Sequence, residues 1–295
     1  MEMSTNGYKI GKEGLVWILV KAIKKKSEFN SLDDDFIKNI VISHLRKDKE
    51  QILLRHPNLE KSKVFKQFVK EIRRILHDVY GVFNVRKNKR EQLLSKLMEI
   101  SKDKKRIDED MLDVHRQILL THRSTKERLY DYSSMYRKLF KIKPKSILDL
   151  GCGLNPISFP WMNLSSVKCI GIELTDEDCR YLNKYFSIMK KFGLVGEAKK
   201  INLITIDNLP KTDVCFLFKL LDNLETLELN FTKKLLEKIK SDYIIASFPT
   251  KTLSGKRLSK KRLKWFFKLI NEHEEFETEN EVFYIIKNKK LINKL

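Results

Sequence analysis

Ser146-Ile-Leu-Asp-Leu-Gly-Cys-Gly-Leu-Asn-Pro156 is the stretch whose reading decides the fold. Residues 146–150 form a short apolar run broken by one aspartate, as in a buried strand, and the run stops at two glycines one residue apart. Strand-like runs follow at 167–173, 201–207, 213–218, 243–248 and 282–286, separated by segments of helix length. Strands alternating with helices predict parallel βαβ units in an open, doubly wound α/β sheet of Rossmann-like form from Ser146 onward.

In such a sheet, ligands sit beyond the carboxyl ends of the strands, where the first strand turns into a helix. Gly151 and Gly153 let the backbone approach a ligand without an intervening Cβ. Asp149 precedes them, and Glu173 ends the second strand 24 residues later, where a carboxylate can accept bonds from both hydroxyls of a ribose. Asp207 ends the expected third strand, in reach of an adenine amino group. A dinucleotide fingerprint needs a third glycine where this chain has Pro156, and there is no phosphate-loop lysine. An aspartate at the strand end repels phosphate but suits a cofactor with an amino acid and a sulfonium. D-x-G-x-G followed by spaced acids fits S-adenosylmethionine.

Upstream the texture is helical and basic. The chain of 295 residues carries 60 Lys and Arg against 39 Asp and Glu, a net charge of +21. Residues 1–145 hold 35 basic and 20 acidic residues, a net of +15; the remainder nets +6. A charge of this size points to a polyanionic partner, nucleic acid before an anionic membrane. A helix start is read at residues 31–34, an amphipathic stripe runs from Phe65 to Val79 and stops near Gly81, and shorter helices are expected around Leu94 and from Met111 to Leu120. Basic runs lie between them, including Arg86, Lys87, Lys89 and Arg90, which are expected to bind RNA. We divide the chain into an all-helical, basic RNA-docking domain, 1–105, and a cofactor-binding domain, 106–295. No apolar run is long enough to span a membrane and no signal-peptide pattern opens the chain, so a cytoplasmic protein is expected. The four cysteines lack metal-ligand spacing, so they are expected to be reduced thiols, with no bound metal.

Three blocks resemble a known family: His122-Arg-Ser-Thr-Lys-Glu-Arg128, the glycine turn 147–156, and Ser247-Phe-Pro-Thr-Lys-Thr-Leu-Ser-Gly-Lys256. A weaker fourth is Phe216-Leu-Phe-Lys219. Together they are similar to the 16S ribosomal RNA (guanine-N7) methyltransferases of the aminoglycoside-resistance type. The resemblance implies S-adenosylmethionine as cofactor and small-subunit ribosomal RNA as substrate. It places His122, Ser124, Arg128, Asn155 and Lys219 with Asp149, Gly151, Gly153, Glu173 and Asp207 around the cofactor. It also implies that Lys219, Phe248 and Lys251 position the target base and that Lys251, Ser254, Lys256 and Arg257 meet RNA.

The blocks also have a physical reading. Ser124-Thr-Lys-Glu127 has the form of a capping box, so a helix is expected to start near Thr125, with Arg128 in its first turn. A guanidinium there can pair with the methionine carboxylate of the cofactor. His122 is expected to be structural or part of a lid. Seven basic residues and no acid lie between Lys251 and Lys264, a phosphate-gripping tract. Trp265, Phe266 and Leu269 read as helix core.

The fourth-strand segment lacks the motif of adenine-N6 methylation, and Cys152 and Cys215 are poorly placed for cytosine-C5 chemistry. Guanine N7 carries a free lone pair and needs no base, only in-line positioning and exclusion of water. The reading is therefore a monomeric SAM-dependent RNA methyltransferase forming 7-methylguanine, with no catalytic base. The alternatives are a transfer-RNA guanine-N7 methyltransferase, a non-catalytic RNA-binding ribosome-assembly factor of the same fold and, third, a small-molecule methyltransferase.

Overall fold

Two segments of different character fold as separate compact units, Met1–Gly81 and Val82–Leu295. The computed structural model describes residues 11–81, 87–140, 143–252 and 254–288. The unit boundary lies upstream of residue 105: the helix read around Leu94 belongs to the second unit, not the first.

In the first unit α1 (Lys12–Lys24) packs on α2 (Asp34–His44), α3 (Lys47–Arg55) and α4 (Lys63–Val79). The α4 stripe works as its spacing dictates: Phe65, Phe68, Ile72 and Leu76 are buried while Lys66, Lys70 and Arg74, four residues apart, are exposed. Ser62 caps α4 by accepting the Phe65 amide at 3.1 Å. The α2 cap is Asp33, which accepts the amides of Asp35 and Phe36. Arg73 donates to the carbonyls of Ile23 and Ala22 at 3.2 and 2.7 Å, satisfying orphan acceptors at the end of α1.

In the second unit α5 (Arg90–Ser101), α6 (Glu109–Leu119), α7 (Arg123–Arg128) and α8 (Tyr132–Leu139) precede the sheet. Its strands are β1 (Ser146–Leu150), β2 (Val167–Glu173), β3 (Leu194–Lys200), β4 (Val214–Phe218), β5 (Tyr243–Pro249), β6 (His273–Glu277) and β7 (Glu281–Lys287). Their order is β3-β2-β1-β4-β5-β7-β6; the first five are parallel, and β7 runs antiparallel between β5 and β6. The reversal of strand order at β1 and β4 creates the crevice where open α/β sheets bind ligands.

The third strand is a correction. It is β3, and residues 201–207 form instead a loop with a short 3₁₀ turn, Leu203–Thr205, capped by Asn202, which accepts the Ile204 amide. As an edge strand β3 buries only Leu194 and Ala198, so its alternation is faint in the sequence. Gly196 is required there: a Cβ would fall 2.2 Å from Cδ1 of Phe186 on α9 (Asp176–Met189). β6 is an edge strand rich in glutamate, which sequence patterning passes over and which suits an exposed edge.

Candidate functional site

β1 delivers Asp149 to the crevice fully packed, 2% exposed. Its carboxyl accepts from Asn155 Nδ2 at 2.8 Å, and burial pushes its pKa up to about 7, against the pull of that bond and of Arg128. Beyond it Gly151 and Gly153 have φ of +62° and +51°, the left-handed region. A Cβ on Gly153 would lie 2.9 Å from the ring of His122. The turn leads into a 3₁₀ helix, Asn155–Trp161, with Pro156 in its first turn, so Asn155 is held inward and buried.

Glu173, the last residue of β2, folds back onto this turn: Oε1 accepts the Gly153 amide and Oε2 the Leu174 amide. Burial and the nearby Asp178 push its carboxyl up to about 7 despite those bonds. His122 caps α7 through its backbone and is buried; burial first, then the charges of Arg90 and Arg128, press its imidazole down to about 3. It is neutral at physiological pH and packs against the glycine turn, consistent with a structural role.

The capping box is a second correction. α7 starts at Arg123, so Ser124 lies buried inside it and Thr125 Oγ1 donates to the Leu119 carbonyl at 2.6 Å. Arg128 is thereby the last residue of α7 and not a first-turn residue. It points inward, 3% exposed, and donates from Nε to Glu281 Oε2 at 2.8 Å and from Nη1 to Asn155 Oδ1 at 3.4 Å.

Lys219 follows β4 with φ of +53°, an uncommon conformation for a non-glycine residue and one that clusters at functional sites. The Ser247 carbonyl and hydroxyl, both at 3.1 Å, hold its amide. Its ammonium pairs with Glu127 and lies 3.4 Å from Glu281 Oε2. Ser247 donates to the other oxygen of Glu281.

Glu281 is the residue the sequence reading missed. It is 0% exposed and joins α7, β4 and β5. Burial opposes its charge, but Arg128 and Lys219 hold its carboxyl below the usual range. β7 begins at Glu281, and its antiparallel register sets Glu281 opposite Pro249, at the carboxyl end of β5. The clue in the sequence was an acid opening an otherwise apolar strand run.

Other expected site residues lie elsewhere. Asp207 is exposed in the loop after the 3₁₀ turn, no longer at a strand end. Phe248 is fully buried, its ring 4.8 Å from Phe266 and near Trp265 and Tyr284, so it is core and not a surface for a base. Arg90, expected on an RNA-facing run, is 3% exposed; it donates to Thr121 Oγ1 at 3.0 Å and to its carbonyl at 3.1 Å, and pairs with Asp178 at 3.4 Å. Lys89 is exposed, the side chain of Lys87 and all of Arg86 lie outside the described residues.

The cationic tract after β5 forms a tight hairpin. Lys251 bridges Arg257, the Thr252 amide reaches the Lys256 carbonyl at 2.8 Å, and Gly255 has φ of +86°. Lys251 pairs with Glu279 at 2.8 Å and Arg257 with Glu277 at 3.1 Å. Ser254 and Lys256 are exposed, and among the described residues Lys256 has no ion-pair partner.

Among the described residues no three His, Cys, Asp or Glu side chains group to hold a metal, no helix is long and apolar enough to cross a membrane, and the four cysteines are buried and unpaired.

Residues 62–280 match the family profile described as ribosomal RNA methyltransferase (FmrO). The 16S rRNA (guanine(1405)-N(7))-methyltransferase of Proteus mirabilis is 31% identical over 208 residues, 65% of this chain and 71% of that protein. The enzyme of the same name from Micromonospora echinospora is 30% identical over 188 residues, 63% and 67% of the two chains. In fold, the chain superposes on the crystal structure of the 16S rRNA methyltransferase RmtF in complex with S-adenosyl-L-homocysteine with a TM-score of 0.70, at 20% identity over 92% of this chain and 97% of that one. An rRNA methylase from Escherichia coli gives 0.66, at 22% identity over 92% and 99%.

Proposed function

The chain belongs to the ribosomal RNA methyltransferase (FmrO) family, and from that premise we propose that it transfers a methyl group from S-adenosylmethionine to N7 of a guanine in 16S ribosomal RNA. The observation that carries this reading is the convergence of Asp149, Glu173, Arg128 and Lys219 at the carboxyl ends of β1, β2 and β4 and at the end of α7.

That set fits the cofactor on its chemistry. Two carboxyls face a left-handed glycine turn, complementing an ammonium and ribose hydroxyls, and a buried guanidinium complements a carboxylate. When bound, the cofactor supplies an electrophilic methyl on a sulfonium. Glu173 would take the ribose, Asp149 with Asn155 the amino acid end, and Arg128 the carboxylate. Asn202, the first polar side chain after β3 apart from its terminal lysines, replaces Asp207 as the side chain proposed near the adenine. His122, held neutral, closes the turn without moving a proton. The chemistry asks for no base, since N7 offers its own lone pair. The protein must hold that atom in line and keep water out. Bringing N7 of a folded RNA into this crevice requires the base to be flipped out.

The first unit is proposed to dock the RNA. A cavity of about 540 Å³ on its α4 face is lined by Lys26, Lys66, Lys70, Arg73, Arg74 and His77. Exposed lysines and arginines repeated along one helix face match the phosphates of a folded polyanion, and they replace the run 86–90 as the docking surface. We propose a monomeric, cytoplasmic enzyme.

The test is incubation with labelled cofactor and isolated small subunits, free 16S rRNA or transfer RNA, followed by nucleoside analysis. Label in 7-methylguanosine from ribosomal RNA or small subunits is the expected result. Label only in transfer RNA, or in another nucleoside, would remove the reading.

A further inference from the structure

A second cavity, of about 440 Å³, lies between residues 249–263 and the start of β7. Arg257, Lys260 and Arg262 contribute three cations to its lining, and Glu277 is the one carboxylate among its lining residues. We propose that this cavity binds a phosphodiester of the RNA strand flanking the target guanine, and that Glu277 is the internal counter-anion which that phosphate displaces. The proposal rests on the RNA-substrate reading and adds to it a site and a means of discrimination.

Position is the first argument. Pro249 and Val282 line the cavity, and Pro249 pairs in register with Glu281, the buried acid that holds Arg128 and Lys219. The cavity therefore adjoins the methyl-transfer crevice, where the strand on either side of a flipped base must pass.

The second argument is the state of the three cations. Arg262 is fixed: Nη2 donates to the Pro249 carbonyl at 2.9 Å, Nη1 pairs with Asp222 at 2.5 Å, and its guanidinium lies 5.9 Å from the Phe248 ring centre. Lys260 and Arg257 are instead shared by the acids of β6. Lys260 meets Glu275 at 2.5 Å and Glu277 at 2.9 Å, and Arg257 meets Glu277 at 3.1 Å. Glu275 and Glu277 are two residues apart on one strand and share a face, so both reach the same lysine.

The exchange is chemically balanced. A phosphodiester and a carboxylate each carry one negative charge, and no covalent bond changes. The Arg257 and Lys260 side chains are 81% and 45% exposed, and ion pairs this open contribute little to stability. Their replacement by a better-placed phosphate therefore costs little. Because Glu277 already satisfies the two mobile cations, a polyanion held by this cavity alone gains little. An RNA also held elsewhere gains the full contact. Glu277 thus lowers affinity for unrelated strands more than for substrate.

The experiment compares wild type, Glu277→Gln and the double variant Arg257→Ala/Lys260→Ala. Binding of a 16S rRNA fragment and of an unrelated single strand is followed by fluorescence anisotropy across a salt series, with cofactor affinity measured alongside as a control for the fold. Glu277→Gln is expected to bind the unrelated strand about three- to tenfold tighter, narrowing its gap to the substrate. The double variant is expected to bind substrate more weakly, with a log–log salt slope shallower by about 1.4, since each lost single-strand phosphate contact removes about 0.7. Lys260→Gln alone replaces the double variant if that one fails to fold, with a slope change of about 0.7. An unchanged slope overturns the phosphate site, and an unrelated strand bound no tighter by Glu277→Gln overturns the role of that residue. Wild-type protein that binds RNA yet forms no 7-methylguanosine would count against the function and not against the cavity.

Discussion

Arg128 and Glu281, 153 residues apart in sequence, meet in an ion pair of 2.8 Å with side chains only 3% and 0% exposed. The pair ties the end of α7 to the start of β7 and holds the guanidinium proposed to take the cofactor carboxylate. Breaking a buried pair from one side strands the other charge. Glu281→Ala is therefore expected to lose about 3–5 kcal/mol in urea unfolding, stranding Arg128 and Lys219 together. Glu281→Gln, which keeps an acceptor for Ser247, should lose less. Arg128→Ala/Glu281→Ala should lose clearly less than the sum of its single variants; strict additivity would show that the two do not act as a pair.

Asp149 and Glu173 both have carboxyls raised to about 7 by burial. An acid raised in the fold stabilises it fully below the unfolded pKa, and that contribution is lost as pH climbs through the folded one. Thermal stability of the ligand-free protein should therefore carry a component that falls between about pH 4 and pH 7 and levels off above. Cofactor affinity should move the other way, rising from about pH 6 to 8 with proton release, because a cationic ligand favours the ionised carboxyls. Calorimetry in two buffers of different ionisation heat measures the released proton, and Asp149→Asn should reduce it. Affinity that is flat across this range would contradict the arrangement.

Gly153 and Gly151 respond differently to a methyl group. Both sit at positive φ, where alanine costs about 1–2 kcal/mol. Beyond that, the new Cβ at Gly153 would meet the buried His122 ring at 2.9 Å, whereas at Gly151 it would meet the tip of Leu220 at 2.8 Å, a flexible group that can turn away. Gly153→Ala should thus lower the melting temperature and cofactor affinity more than Gly151→Ala. His122→Ala should also cost less in the Gly153→Ala background than in wild type. Equal losses at the two glycines would mean the ring yields freely.

Arg90 and the α4 lysines separate stability from RNA binding. Arg90→Ala removes the partner of buried Asp178 and two bonds to Thr121, so it should lose about 3–5 kcal/mol and leave the salt slope of RNA binding unchanged. Lys66→Ala/Lys70→Ala/Arg74→Ala, all exposed, should change stability by about 0.5 kcal/mol or less per site while flattening that slope. A slope that survives the triple variant would mean that RNA is gripped by other parts of the protein.

The elements legible in the sequence are those written in local pattern. The run 146–150, the paired glycines and the acid at Glu173 occupy the places their spacing implied, and the α4 stripe buries the side it should. The edge strands were not legible: β3 shows only two buried residues and β6 is half glutamate, so neither carries the apolar alternation by which strands are recognised.

By itself the sequence determined the α/β sheet, its glycine turn, the basic helical texture upstream and the three blocks that carry the family likeness. Only the tertiary structure decided which side chains meet. It made Arg90 a buried partner of Asp178, enclosed Phe248 among aromatics and left Asp207 on the surface. It also brought Glu281 beside Arg128 by running β7 against β5, and set the glutamates of β6 opposite the cations that follow β5. Strand and helix propensity act over a few residues, whereas strand order and direction join residues more than a hundred positions apart. The buried charges of this site depend on that second kind of neighbour.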